Sequence, residues 1–192
     1  MPAVCSGRLI VISGPSGVGK STIVALVAQR HPVIFSVSAT TRPARPGEHH
    51  GVDYLFVNTD QFAELRDRGE LLEWAEYNGR LYGTPRSPVE EALHRGESVL
   101  LDIEVQGALQ VIQLYPEALT IFVAPPSLDD LRRRLEGRGD TSPDEIAGRI
   151  EIARWQLQMA GRVFDHLVVN DRVERAVDEI LRILTAPDPP ER

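Results

Sequence analysis

The sequence predicts an α/β protein of three layers, with a mostly parallel central sheet and a β-rich inserted lobe. Three observations predict it. Leu9–Ser13 is a continuous apolar run that enters a glycine-rich turn and then a helical pattern. From residue 85 onward, strand-like apolar runs alternate with helical patterns, which argues for parallel strands covered on both faces. Between these parts, residues 33–84 break the alternation with short β-type segments and form the best candidate for an insertion.

The elements follow in order. Leu9–Ser13 reads as a buried strand, and the helix from about Lys20 ends near His31-Pro32, where proline blocks continuation. Residues 33–38 and 52–57 read as strands, with a loop rich in turn residues between Ala39 and Gly51. Thr59 is the expected cap of a short helix from Asp60 to Arg68, stopped by Gly69. Leu71–Tyr77 and Leu81–Thr84 read as a hairpin joined by Asn78-Gly79, the preferred pair for a type I′ turn. A helix starts at Ser87-Pro88 and runs to about Arg95; a buried strand follows at Val99–Ile103. Val105–Leu114 reads as helix and Leu119–Val123 as strand, closed by Pro125-Pro126. Ser127 caps a helix from Leu128 to Glu136, and Gly137–Asp140 is a junction. Ser142, Pro143 and Glu145 form a capping box for a helix running to about Ala160. A last strand at Leu167–Val169 and an amphipathic helix at Val173–Leu184 complete the series. Met1–Gly7 reads as a loose lead-in, and residues 186–192, with three prolines, as a disordered tail.

Composition narrows the function classes. The net charge of −7 argues against general affinity for nucleic acid or an acidic membrane, so any anion site must be a local cluster of basic groups. The single cysteine, Cys5, excludes an internal disulfide and a cysteine metal cluster. There is neither the pattern of a signal peptide nor an apolar stretch of membrane-spanning length, and a cytoplasmic location is expected.

The stretch Gly14, Pro15, Ser16, Gly17, Val18, Gly19, Lys20, Ser21, Thr22 has the spacing G-x-x-x-x-G-K-S between a strand and a helix, the context that a phosphate-binding loop requires. Its glycines free the backbone to turn N–H groups toward phosphate oxygens, at a helix N-terminus that favours negative charge. Lys20 suits the outer phosphates, and the Ser21 hydroxyl suits Mg²⁺. The fold is thereby a P-loop fold that takes a nucleoside triphosphate, but the motif does not identify what receives the phosphate. Asp102, near the end of its strand, either orients Mg²⁺ through water or caps the following helix. The segment Thr40-Thr41-Arg42-Pro-Ala-Arg45 through Tyr54 and Phe56 is either an anion pocket, with paired arginine donors and a tyrosine hydroxyl, or a solvated loop. Arg132 and Arg133 read as a solvated helix face, and His49 and His50 as surface residues.

That segment resembles the signature of the guanylate kinases, and the phosphate loop is similar to theirs. The likeness continues through Phe35-Ser-Val-Ser38, Leu72-Glu73-Trp74-Ala75, Leu81-Tyr82-Gly83-Thr84 and Leu101-Asp102-Ile-Glu104-Val-Gln-Gly107. It goes on through Ala124-Pro-Pro-Ser127, Arg134-Leu-Glu-Gly-Arg138-Gly and Val168-Val-Asn170-Asp171, covering roughly residues 8–184 in order. The resemblance implies transfer of the γ-phosphate of ATP to GMP with Mg²⁺. It implies that Arg42, Arg45, Tyr54 and Tyr82 hold the GMP phosphate, and that Ser38, Glu73 and Thr84 meet guanine, with Glu104 near the nucleoside. It places Arg134, Arg138 and Arg149 at the transferring phosphates, and Asn170 and Asp171 near adenine. Lys20, Arg45, Arg138 and Arg149 would carry the catalytic charge. The expected organisation is a core of residues 1–32, 85–126 and 161–185, a GMP-binding lobe of 33–84 and a lid of 127–160. A scaffold-type binding module would lack an intact phosphate loop, and a kinase for another acceptor would lack the guanine-facing set. Both ATP and GMP are small-molecule partners; the oligomeric state is open.

Overall fold

The computed structural model describes residues 7–137 and 142–186. The elements run β1 (Leu9–Ser13), α1 (Lys20–Arg30), β2 (Ile34–Phe35), β3 (Ala39–Thr40), β4 (Leu55–Phe56), α2 (Thr59–Asp67), β5 (Leu71–Tyr77) and β6 (Arg80–Pro85). They continue with α3 (Arg86–His94), β7 (Val99–Asp102), α4 (Val105–Leu114), β8 (Leu119–Ala124), α5 (Leu128–Glu136), α6 (Pro143–Val163), β9 (His166–Val169) and α7 (Val173–Thr185). A five-stranded sheet has the order β2-β7-β1-β8-β9, and a four-stranded sheet the order β4-β3-β6-β5. The expected mostly parallel sheet is present: β2 pairs with β7, and β8 with β9, in parallel. The chain falls into two compact units, one of residues 1–11 and 33–120, the other of 12–32 and 121–192.

In the first unit the small sheet has two chemically different faces. Side chains alternate across a strand, and cross-strand partners share a face. Glu73 lies opposite Thr84, Ala75 opposite Tyr82, and Tyr82 opposite Thr40, so these residues line one face. The other face is apolar: Ala39, Phe62 of α2 and Leu71 are buried together, with Leu55, Leu65 and Leu81 against them. An irregularity between Leu71 and Glu73 lets β5 serve both requirements. The hairpin turn carries Asn78 at φ 52° and Gly79 at φ 68°, as the Asn-Gly pair predicts. Helix α4 lies along β5, and the Gln110 amide donates to Trp74 O (2.7 Å) while its Oε1 accepts from Trp74 N (3.2 Å). A side-chain amide thus continues the hydrogen bonding of the sheet edge and fixes α4 beside Glu73.

In the second unit, residues 121–124 of β8 are buried throughout, and Phe122 packs edge-on against Phe164 at 5.3 Å. Helices α5 and α6 share a core of Leu131, Leu135, Ile146, Ile150 and Ala153. Ser127 caps α5, and the Ser142–Glu145 capping box forms at the start of α6 as expected.

Several boundaries differ from the sequence reading. The cap of α2 is Asn58 rather than Thr59: Asn58 Oδ1 accepts from Gln61 N, and Asn58 N donates in return to Gln61 Oε1, a reciprocal capping box. Of residues 33–38 only Ile34–Phe35 pair as strand, and of 52–57 only Leu55–Phe56, because residues 49–54 close a turn in which His49 O accepts from Val52 N and Asp53 N. Helix α6 continues past Ala160 to Val163. The expected tail, apart from Ala186, and the junction residues 138–140 lie outside the described residues. Among those described, no helix is long and apolar enough to cross a membrane.

Candidate active site

The second unit builds a backbone cradle. Gly14, Gly17 and Gly19 have φ of 152°, 87° and 96°, which L side chains rarely adopt. Gly19 is the N-cap of α1 and offers no side chain to the first turn, so the turn's N–H groups keep their anion-binding character. No acidic residue stands in that turn. The loop closes through Val18 N to Pro15 O (3.2 Å). Its shape is held from outside by two donors on one carbonyl: Val18 O accepts from Arg134 Nη1 (3.0 Å) and Asn170 Nδ2 (2.7 Å). Arg134 Nη2 also donates to Asn170 O (2.8 Å), closing the triangle. Asn170 is 2% exposed, and its Oδ1 is buried with no donor among the described residues. Lys20, Ser21 and Thr22 open α1, and Ser16 lies half-buried in the loop. Asp171 is exposed and accepts from Arg175 Nη1 (2.6 Å). Arg149 is half-buried on α6, and Arg138 lies outside the described residues. Arg132 and Arg133 are exposed, as expected, whereas Arg134 between them and Leu135 turns inward.

The first unit gathers side chains instead. The Arg42 guanidinium pairs with both carboxylate oxygens of Glu48, Nη1 to Oε2 and Nη2 to Oε1, each at 2.9 Å. It also donates to Pro43 O (2.8 Å) and lies 5.3 Å from the Tyr54 ring centre and 5.7 Å from that of Phe56. The Tyr54 and Tyr82 rings meet edge to face at 6.1 Å, and Tyr82 also interacts with Arg42. The hydrogen bond to Glu48 raises the Arg42 pKa above its ordinary value, and the same bond holds the Glu48 carboxyl below its own. Glu48 further accepts from Arg45 N (2.8 Å), so one acid shapes the whole turn. The Arg45 side chain is exposed, and its guanidinium makes no hydrogen bond among the described residues. Thr40 and Thr41 tie the start of this loop to β6: Thr40 Oγ1 donates to Leu81 O (3.0 Å) and Thr41 Oγ1 accepts from Leu81 N (2.9 Å).

Three positions beyond Leu81 on β6, Thr84 Oγ1 donates to Glu73 Oε1 at 2.7 Å. Glu73 is only 4% exposed, a buried carboxylate oriented by its neighbour. Ser38 lies half-buried just before β3, with Ser38 O accepting from Leu55 N (2.9 Å). Asp102 ends β7 and is half-buried. It does not cap the next helix, since Glu104 occupies the N-cap of α4. Arg42, Tyr54 and Tyr82 are therefore one cluster and Glu73 with Thr84 another, joined along one face of the small sheet. Glu48 and the two threonines were not singled out by the sequence reading; an acid six residues after Arg42 in a basic loop was the available signal. His50 lies at the surface, as expected, although its Nδ1 accepts from Phe56 N (3.1 Å).

Comparison with known proteins gives a consistent result. The family profile described as guanylate kinase matches residues 6–187. A guanylate kinase of Thermus thermophilus is 56% identical over 180 residues, 94% of this chain and 81% of that protein. One from Streptomyces coelicolor is 51% identical over 184 residues, covering 95% of this chain and 93% of its own length. The crystal structure of guanylate kinase from Anaplasma phagocytophilum superposes with a TM-score of 0.79 at 34% identity, over 94% of this chain and 85% of that one.

Proposed function

The chain belongs to the guanylate kinase family, and from that premise we propose how its residues divide the reaction. It is an ATP:GMP phosphotransferase. An oxygen of the GMP phosphate forms a bond to the γ-phosphorus of ATP, the bond to the bridging oxygen breaks, and ADP leaves with the electron pair. The products are ADP and GDP.

The acceptor phosphate is already an anion, so no general base is required, and catalysis consists of alignment and charge neutralisation. In our reading the loop Gly14–Thr22 holds the triphosphate, and Lys20 offsets charge on its outer phosphates. Arg42, Arg45, Tyr54 and Tyr82 take the GMP phosphate, while Arg45, Arg138 and Arg149 balance charge at the transferring group. Arg134 and Asn170 support the loop through Val18 O. Asn170 and Asp171 take the adenine side in the same reading. Ser38, Thr84 and Glu104 flank the guanosine.

The observation that carries the substrate assignment is Glu73, buried and held by Thr84. Guanine presents two adjacent donors, N1–H and the amino group, and a carboxylate accepts both. Adenine presents a lone pair at N1, which would leave acceptor facing acceptor at a cost of about 1–3 kcal/mol for each unpaired buried group.

Mg²⁺ belongs to the same proposal. The ion takes oxygen ligands, keeps several waters and is bound largely by substrate phosphates. The Ser21 hydroxyl and the Asp102 carboxylate are donors of that kind. Among the described residues there is no group of three or more His, Cys, Asp or Glu able to hold a metal. When bound it supplies charge neutralisation on the phosphate oxygens. We assign residues 1–32, 85–126 and 161–185 to the core, 33–84 to the GMP-binding lobe and 127–160 to a lid, in a cytoplasmic enzyme. The test is ADP release from ATP–Mg²⁺ with and without GMP. Turnover that requires GMP is expected; folded protein with no GMP-dependent turnover contradicts the reading.

A further inference from the structure

Gly107 is the third residue of α4, in the first turn, where backbone N–H groups have no partner within the helix. A Cβ built at this position would lie 2.0 Å from Glu73 Oε2, 2.8 Å from its Cδ and 3.4 Å from its Cγ. Real Cβ atoms do not come so close. The carboxylate therefore lies directly against the bare Cα of Gly107, at the end of a helix that favours negative charge. The other oxygen, Oε1, takes the Thr84 hydroxyl. The first turn of α4 holds no acidic residue, its N-cap, Glu104, makes no side-chain cap bond, and the Glu73 carboxylate approaches this turn from β5. The bonds between Gln110 and Trp74 hold helix and strand together at that point.

We propose that Gly107 is a specificity-determining residue, acting through Glu73: the missing side chain creates the space in which the carboxylate is seated and aimed at guanine. The inference rests on the reading that Glu73 meets guanine. A methyl group at residue 107 displaces the carboxylate toward the position of the base, and the loss falls on GMP and not on ATP. Gly107 is thus neither a flexibility device nor a helix weakness. Its backbone is helical, and elsewhere in a helix alanine would be the more stabilising residue.

The experiment compares Gly107→Ala, Glu73→Gln, the double variant and Gly161→Ala, by steady-state kinetics and thermal melting with and without GMP. Gly161 is a control on α6, where an added Cβ meets nothing within 4 Å. Gly161→Ala is expected to melt no lower than the parent, with unchanged kinetics. Gly107→Ala is expected to raise KM for GMP roughly tenfold and to weaken the GMP-dependent rise in melting temperature, with KM for ATP within about twofold. Adding Gly107→Ala to Glu73→Gln is expected to change KM for GMP by less than about twofold, since the acid is already lost. Gly107→Ala with unchanged KM for GMP, beside a Glu73→Gln that raises it, overturns this inference alone. Glu73→Gln with unchanged KM overturns the guanine reading beneath it. Should Gly107→Ala not fold, the Glu73→Asp/Gly107→Ala pair decides: the shorter acid restores folding if the clash with Glu73 is the cause, and continued failure overturns the inference.

Discussion

The phosphate loop at Gly14–Thr22 and the arginine loop between Thr41 and Tyr54 both serve phosphate in this account, yet they are built on opposite principles. The first is a backbone device. It contains one charged residue, Lys20, and its form depends on left-handed glycines and on two donors that grip Val18 O. The second is a side-chain device. Its charge sits on Arg42 and Arg45, and its form depends on an acid, Glu48, that binds the Arg42 fork and the Arg45 N–H together. A backbone cradle presents fixed dipoles at little entropic cost, but an added Cβ disrupts it. A side-chain cradle supplies full charges, and its geometry depends on the ionisation of its own members.

The sharpest contrast comes from removing the one charge of the phosphate loop. Lys20→Met is expected to lower kcat by about a hundred- to a thousandfold, the scale of a lost electrostatic contact to developing charge, measured by coupled ADP release. Gly19→Ala is next: at φ 96°, with an added Cβ 2.7 Å from Asn170 Nδ2, it strains the cradle and should raise KM for ATP about tenfold while leaving KM for GMP near its parent value. An equal rise in both would mean that the two loops are not independent devices. On the side-chain side, Thr84→Val removes the hydroxyl that donates to Glu73 and should raise KM for GMP roughly fivefold, with ATP unaffected.

The smallest effect tests the ionisation of the arginine loop. Folding holds the Glu48 carboxyl below its ordinary value of 4.5. Its contribution to stability is therefore complete above that pH and is lost as pH falls through the depressed folded value. Glu48→Gln should lower stability by ~1 kcal/mol near neutral pH, and melting curves of parent and variant should converge in acid. A difference that persists unchanged to pH 3 would show that Glu48 acts by shape and not by charge.

The same contrast explains what the sequence made legible. The phosphate loop is contiguous, and strand, glycines, lysine and helix are adjacent in the chain, so spacing alone identifies it. The guanine-side residues of this account are dispersed over separate elements, and pairing brings Glu73 to Thr84 and Ala75 to Tyr82; only the resemblance to guanylate kinases picked out Glu73, Tyr82 and Thr84. Glu48 and Gly107 escaped notice because their roles are relations. One is a counter-ion whose partner is chosen by a turn, and the other is a space whose purpose depends on a carboxylate from a different element. Helix α4 matched its expected bounds through apolar periodicity, and α5 through the coincidence of that periodicity with the Ser127 cap, whereas the strand expected at 52–57 shrank to Leu55–Phe56 because turn bonds to His49 O from Val52 N and Asp53 N overrode β preference.

The central claim is that the buried Glu73 carboxylate makes this chain, which also carries a phosphate loop, select guanine nucleotides. The most direct measurement is kcat/KM for GMP and for AMP, each with saturating ATP–Mg²⁺ on the same folded preparation. The account predicts that GMP exceeds AMP by about a hundredfold or more. Equal values for the two monophosphates would contradict it.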